Sequence, residues 1–198
     1  MESVRDYELK SFFLYVTKTL ECLNIPYMVV GGFAAIFYGE PRMTLDVDIL
    51  VDMQTQHISA FIAAFPFPQF YVSEDAIRDS LQRRYPFNVI QPSTGAKVDL
   101  VPLPTDPFSR LSFQRRQQLV HDESGNKAYF IMAEDIVVAK LIAYQETNSD
   151  KHLRDVRGVL TMQWGEINLE AIRRGARGTG ALEVLEQILE LVRRDLEE

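Results

Sequence analysis

The sequence predicts a mixed α/β chain of the α+β kind, with strands and helices intermixed early and a helical C-terminal part. Three observations carry this. Strand-like runs fall in the first half: YMVV at 27–30, LDVDILV at 45–51, and two apolar runs at 87–91 and 97–103. From Ala133 onward, apolar residues recur at helical spacing. No internal repeat or low-complexity linker interrupts the 198 residues, a length that buries roughly 70% of its unfolded surface without staples. We place a core at 1–105 and a mainly helical region at 106–198.

The elements follow in order. Residues 4–23 carry Phe12, Phe13, Val16, Leu20 and Leu23 at helical spacing, and Asn24 and Pro26 end that helix. Residues 27–30 are a short buried strand. Gly31-Gly32 leads into a short helix from Phe33 to Tyr38, broken by Gly39-Glu40-Pro41. The strand at 45–51 alternates, so Asp46 and Asp48 share a face. Residues 54–65 and 73–83 read as helices. The strands at 87–91 and 97–103 meet through Pro92-Ser93-Thr94-Gly95 as a hairpin. Pro102, Pro104 and Pro107 mark a boundary. Residues 114–132 read as a second hairpin turning at 122–126. Helices are expected at 133–146, 151–163, 167–175 and 180–196, the last with a stripe of Ala181, Leu185, Ile188, Val192 and Leu196. Gly175 to Gly180 reads as a connection between helices; it has no Lys-Ser/Thr and is no phosphate loop. The aromatics Phe61, Phe65, Phe67, Phe70 and Tyr71 read as core packing.

Composition narrows the function classes. A net charge of −7 argues against nonspecific nucleic-acid binding over the whole surface. The arginine pairs 83-84, 115-116 and 173-174 read as solvated faces. The single cysteine, Cys22, forms no internal disulfide and is expected to be a small buried hydrophobe. His57, His121 and His152 lack zinc spacing. The charged stretch MESVRDYELK has no apolar core of a signal peptide, and no run reaches membrane-helix length. A cytoplasmic protein in a reducing compartment is the expectation.

The chemistry lies in a glycine pair and three carboxylates. Thirteen residues separate Gly32 from Asp46, and Asp48 and later Asp99 (KVDLV) follow between apolar neighbours. Two ionised carboxylates side by side repel unless a cation lies between them. Such oxygen-rich sites suit magnesium or manganese. Glycine lets backbone approach a ligand closely, and the helix start after it presents free N–H groups to phosphate. By themselves these residues leave other readings open: a wet edge strand, a tight strand-to-helix turn, or a metal holding a sugar nucleotide. Arg42 and Thr44 precede the Asp strand, where a guanidinium either clamps phosphate or is simply exposed. Lys140 falls on the apolar stripe of Ile136, Val137, Leu141 and Tyr144, so it snorkels outward or faces a polar pocket. Asp155, between Arg154 and Arg157, reads as a surface charge.

Taken together, Gly31, Gly32, Asp46, Asp48 and Asp99 resemble the signature of the nucleotidyltransferase (DNA polymerase β-like) superfamily. The wording GGFAAIFYGEPRMTLDVDILV looks most like the bacterial AbiEii-type and minimal nucleotidyltransferase groups of toxin–antitoxin systems. The resemblance implies a twisted mixed sheet flanked by helices, with the acids on its central strands. It implies Mg²⁺ (or Mn²⁺), a nucleoside triphosphate (NTP) donor, and transfer of a nucleotidyl group to a hydroxyl of a tRNA end, a protein or a small molecule. It also implies metal binding and catalysis by Asp46, Asp48 and Asp99. Gly31, Gly32 and Lys140 would contact phosphate, with Asp155 in support. A protein partner from a toxin–antitoxin pair is a further implication.

Overall fold

The computed structural model describes residues 4–41 and 46–197, with the backbone alone at 4–7. Arg42, Thr44 and Leu45 lie outside the described residues. The chain forms two compact units, Met1–Val30 with Thr44–Phe130, and Gly31–Met43 with Ile131–Glu198.

The first unit is built on a six-stranded mixed sheet. Its strands are β1 (Tyr27–Val30), β2 (Asp46–Val51), β3 (Phe87–Gln91), β4 (Ala96–Pro102), β5 (Gln117–Val120) and β6 (Lys127–Phe130), in the order β3-β4-β2-β1-β6-β5. The predicted hairpins form as β3–β4 and β5–β6, while β2 runs parallel to β4 and β1 parallel to β6. Val47, Ile49, Val89, Val98 and Leu100 are fully buried, which defines the apolar face. Helix α1 (Val4–Cys22) covers it: Phe13, Val16 and Leu20 are fully buried, and the Phe13 ring lies 6.5 Å from Phe130. Asn24, at φ 52°, turns the chain out of that helix.

Several local expectations need correction. Cys22 is exposed, not buried. It stands two residues after Leu20, about 200° around the helix from that buried position. Leu23 lies past the helix end and is only half-buried. Residues 54–65 divide into a 3-10 turn, Thr55–His57, and α3 (Ile58–Ala64), because His57 Nδ1 accepts from the Gln54 amide at 3.0 Å and closes a separate turn. Phe61, Phe65 and Phe70 are core, but Phe67 is 80% and Tyr71 54% exposed. Tyr71 is tied by backbone to Ile90 at the sheet edge instead. Helix α4 (Glu74–Arg83) starts at Ser73, whose hydroxyl accepts from the Ala76 amide. Helix α5 (Pro107–Arg115) was not expected. The prolines that read as a boundary include a helix start, with Asp106 accepting from the Ser109 amide at 2.8 Å and Pro107 in the first helical position. Arg116 is not a solvated charge either; its guanidinium lies 4.3 Å over the Phe113 ring.

The second unit is helical: α2 (Gly31–Tyr38), α6 (Ala133–Thr147), α7 (Asp150–Met162), α8 (Leu169–Thr179) and α9 (Leu182–Glu197). Helix α6 packs against α7 and α8, and α7 against α2 and α9. The glycines at 175 and 178 do not form a connection; they lie within α8, and Gly180 ends it. A Cβ at Gly175 would stand 2.7 Å from Val138 Cγ2, so glycine lets α8 close onto α6. Ala181, Leu185, Ile188 and Val192 are buried as the stripe predicts, whereas Leu196 in the last turn is 47% exposed. Among the described residues, no helix is long and apolar enough to cross a membrane.

Candidate active site

The chemistry-bearing face of the sheet follows from strand alternation. Val47 and Ile49 point into the core, so Asp46 and Asp48 point to the opposite face. The parallel register of β2 and β4 sets Asp46 beside Lys97 and Asp48 beside Asp99. Adjacent strands lie roughly 4.8 Å apart, so these four side chains form a two-by-two block. Across the next strand, Asn88 of β3 pairs with Asp99, and on the other side Val30, the last residue of β1, pairs with Asp48.

The block is bonded internally. The Lys97 ammonium lies 2.8 Å from Asp99 Oδ2 and 3.5 Å from Asp46 Oδ1. The Asn88 amide donates to Asp99 Oδ1. Both oxygens of Asp99 are therefore held, and its side chain is 17% exposed against 56% for Asp46. One end of the block is shielded and fixed, and the other is open. The hydrogen bond to Asp99 is the chief cause that raises the Lys97 pKa; burial opposes it, and the charges of Asp99 and Asp46 add to it. Lys97 stays an ammonium ion at neutral pH.

Among the described residues, no three His, Cys, Asp or Glu side chains are gathered as a ready-made metal cage. The arrangement still fits magnesium. That ion takes one or two carboxylates and completes its shell with water and phosphate oxygens. Asp46 and Asp48 offer oxygens of that kind from one face of one strand. Softer metals that need thiolate or imidazole have no such ligands in this block.

The remaining candidates lie in the helical unit. Gly31 opens α2 with φ 67°, a left-handed conformation that favours glycine, and Gly32 is its second residue. Helix α2 thus starts at the glycine pair itself, two residues earlier than expected, with its first N–H groups unpaired within the helix. Lys140 neither snorkels nor faces solvent. It is buried, with its ammonium 2.6 Å from Asp155 Oδ2. Asp155 is correspondingly buried, not a surface charge, because it lies on the face of α7 that also buries His152, Val156 and Val159. Burial, followed by the charges of Lys140 and Lys151, lowers the His152 pKa, with Asp155 opposing.

Two residues of the site went unnoticed in the sequence, Lys97 and Asn88. Lys97 had a signal: K-x-D within a strand puts both side chains on one face. Asn88 had none, because its place beside Asp99 depends on the β3–β4 register.

No protein-family model matches the sequence, and no curated protein matches it. Solved structures do. An antigenic nucleotidyltransferase-like protein from Paracoccidioides brasiliensis superposes with a TM-score of 0.54 at 20% identity, over 89% of this chain and 92% of that one. The antibiotic-resistance factor ANT(2")-Ia, in complex with adenylyl-2"-tobramycin, gives 0.58 at 14% identity, over 88% and 98%. The lincosamide adenylyltransferase LnuA, lincomycin-bound, gives 0.51 at 12% identity, over 76% and 95%. The fold is that of the nucleotidyltransferases. The six-stranded mixed sheet with its helices and the helical C-terminal part are this nucleotidyltransferase fold in the present chain. At such identities the likeness is one of fold alone.

Proposed function

We propose that the chain is a metal-dependent nucleotidyltransferase that moves a nucleoside monophosphate group from an NTP to an acceptor hydroxyl. One observation carries this reading: Asp46, Asp48 and Asp99 stand on one face of two adjacent parallel strands. Asp46 and Asp48 hold the magnesium or manganese ion, with Asp99 completing the acidic set. When bound, that ion neutralises triphosphate charge and favours departure of pyrophosphate. Asp99, oriented by Asn88, accepts the proton of the acceptor hydroxyl. The acceptor oxygen forms a bond to the α-phosphorus, and the bond from that phosphorus to the bridging oxygen breaks. The chain's own contribution is chiefly positioning and fixed charge.

Gly31, Gly32, Arg42 and Thr44 are assigned to the phosphates. Lys140 is assigned to them as well, and it must then turn from Asp155. Two structurally similar proteins hold antibiotics, as adenylyl-2"-tobramycin and as lincomycin, which supports a small hydroxylated acceptor. RNA and protein acceptors, a cytoplasmic location and a toxin–antitoxin setting remain within the proposal.

The test is label transfer from each NTP, radiolabelled at the α-phosphate, with Mg²⁺. Acceptors are aminoglycosides, lincosamides, total RNA and cell protein, with wild type beside Asp48→Asn. We expect label in one acceptor class and a loss on the order of 100-fold or more in the variant, whose melting curve stays cooperative. Normal turnover by Asp48→Asn would sink the assignment.

A second reading is a catalytically silent member that acts by binding a protein. Its support is Lys97, an ammonium already seated between Asp46 and Asp99. Absence of both metal binding and label transfer, in a chain that co-purifies with a stoichiometric partner, would favour it.

A further inference from the structure

The cation seated among the acids is part of the chain. Three carboxylates in a two-by-two block repel one another, and the fourth position of that block is Lys97. Its ammonium touches one aspartate from each strand, Asp99 at 2.8 Å and Asp46 at 3.5 Å. Those contacts are unequal. The tighter one goes to the shielded carboxylate that Asn88 also holds, and the looser one to the open carboxylate. A divalent ion approaching Asp46 and Asp48 meets a positive charge on the very carboxylate it needs.

We propose that Lys97 is a built-in competitor for the metal position: its ammonium neutralises Asp46 and Asp99 in the unloaded chain and must give up Asp46 when a divalent cation binds. This rests on the reading of the three aspartates as the metal site. The lysine discourages loading by the bare ion, and an ion that arrives with phosphate oxygens of its own has less to gain from Asp46 alone. Lys97 acts through the aspartates and is a positioning residue. A lysine that merely covered the strand with its stem would leave metal affinity unchanged when replaced.

The test is Mn²⁺ binding without nucleotide, followed by the electron paramagnetic resonance of the free ion. The wild-type chain is compared with Lys97→Met and with Lys127→Met. The control removes the same charge from the exposed start of β6. We expect Lys97→Met to bind Mn²⁺ about tenfold more tightly, since two partly exposed ion pairs no longer oppose the ion, and Lys127→Met to match wild type. Equal affinity in all three chains overturns the competitor role and leaves the metal site standing. Weaker binding by Lys97→Met overturns it too, by making the lysine a helper. Absence of Mn²⁺ binding in every chain, with cooperative melting intact, overturns the metal site and the proposal with it. Should Lys97→Met not melt cooperatively, Lys97→Gln is read in the same way.

Discussion

Asn88 shows how much a single amide can do beside a carboxylate. Asp99 is held on one oxygen by Asn88 and on the other by Lys97, so its orientation is set by side chains from its own strand and from the neighbouring one. Removing one donor leaves the carboxylate free to rotate about its end. We expect Asn88→Ala to lower the turnover number of the proposed nucleotidyl transfer roughly tenfold, in the range typical of partners that orient active-site groups. The Michaelis constant for NTP and the melting temperature should stay near wild type. Unchanged turnover would show that Lys97 alone orients Asp99. Gly31 makes the contrasting point at the same scale, since its φ of 67° explains why the residue after β1 is glycine without reference to any ligand.

Between elements, the buried pair Lys140–Asp155 joins α6 to α7 through the interior of the helical unit. Taking two charges out of water is costly, and their 2.6 Å contact offsets that cost only while both are present. Lys140→Ala should therefore destabilise the unit by about 3–5 kcal/mol, because it removes one member of a buried ion pair. The double change Lys140→Met with Asp155→Leu should recover most of that loss in a urea melt. A double variant as unstable as the single one would show that the pair does more than neutralise itself.

Across the whole molecule, two histidines, one in each unit, agree in sign. Burial is the first cause that lowers the pKa of both His121, in the sheet unit, and His152, in the helical unit. His121 lies against the Phe13 ring with centroids 5.1 Å apart, and its Nε2 is buried without a hydrogen-bond partner. A lowered folded pKa means that the unfolded chain binds more protons than the folded one below about pH 6.5. Stability is fully present above that value and falls as pH drops toward the folded pKa values. The melting temperature should decline between pH 7.5 and 5.5. Asp122 and Glu186, whose pKa values are lowered by hydrogen bonds from Asn126 and Arg173, lose their contribution only below the ordinary carboxylate range, outside that window. A melting temperature that rises on acidification through pH 6 would contradict the buried-histidine account.

Short-range pattern was enough for much of this. The period-two run through Asp46 and Asp48, the helical stripes of α1 and α9, and the turns of both hairpins are local consequences of which residues neighbour which. The same locality explains the faults. Pro107 read as a boundary because a helix start and a chain break use the same residue type, Leu23 and Leu196 read as inward because their helices' stripes were extended by one step too many, and Cys22 read as buried from its residue type alone. Long-range pairing decided the site. That Asp99 stands beside Asp48, that Lys97 bridges Asp46 and Asp99, and that Asn88 holds Asp99 all follow from the register of β2, β3 and β4. The burial of Lys140 against Asp155 follows from the packing of α6 on α7. A sequence shows which residues can share a face within one element, because backbone geometry sets that period. It does not show which faces meet, because that depends on the simultaneous burial of apolar surface from segments far apart in the chain.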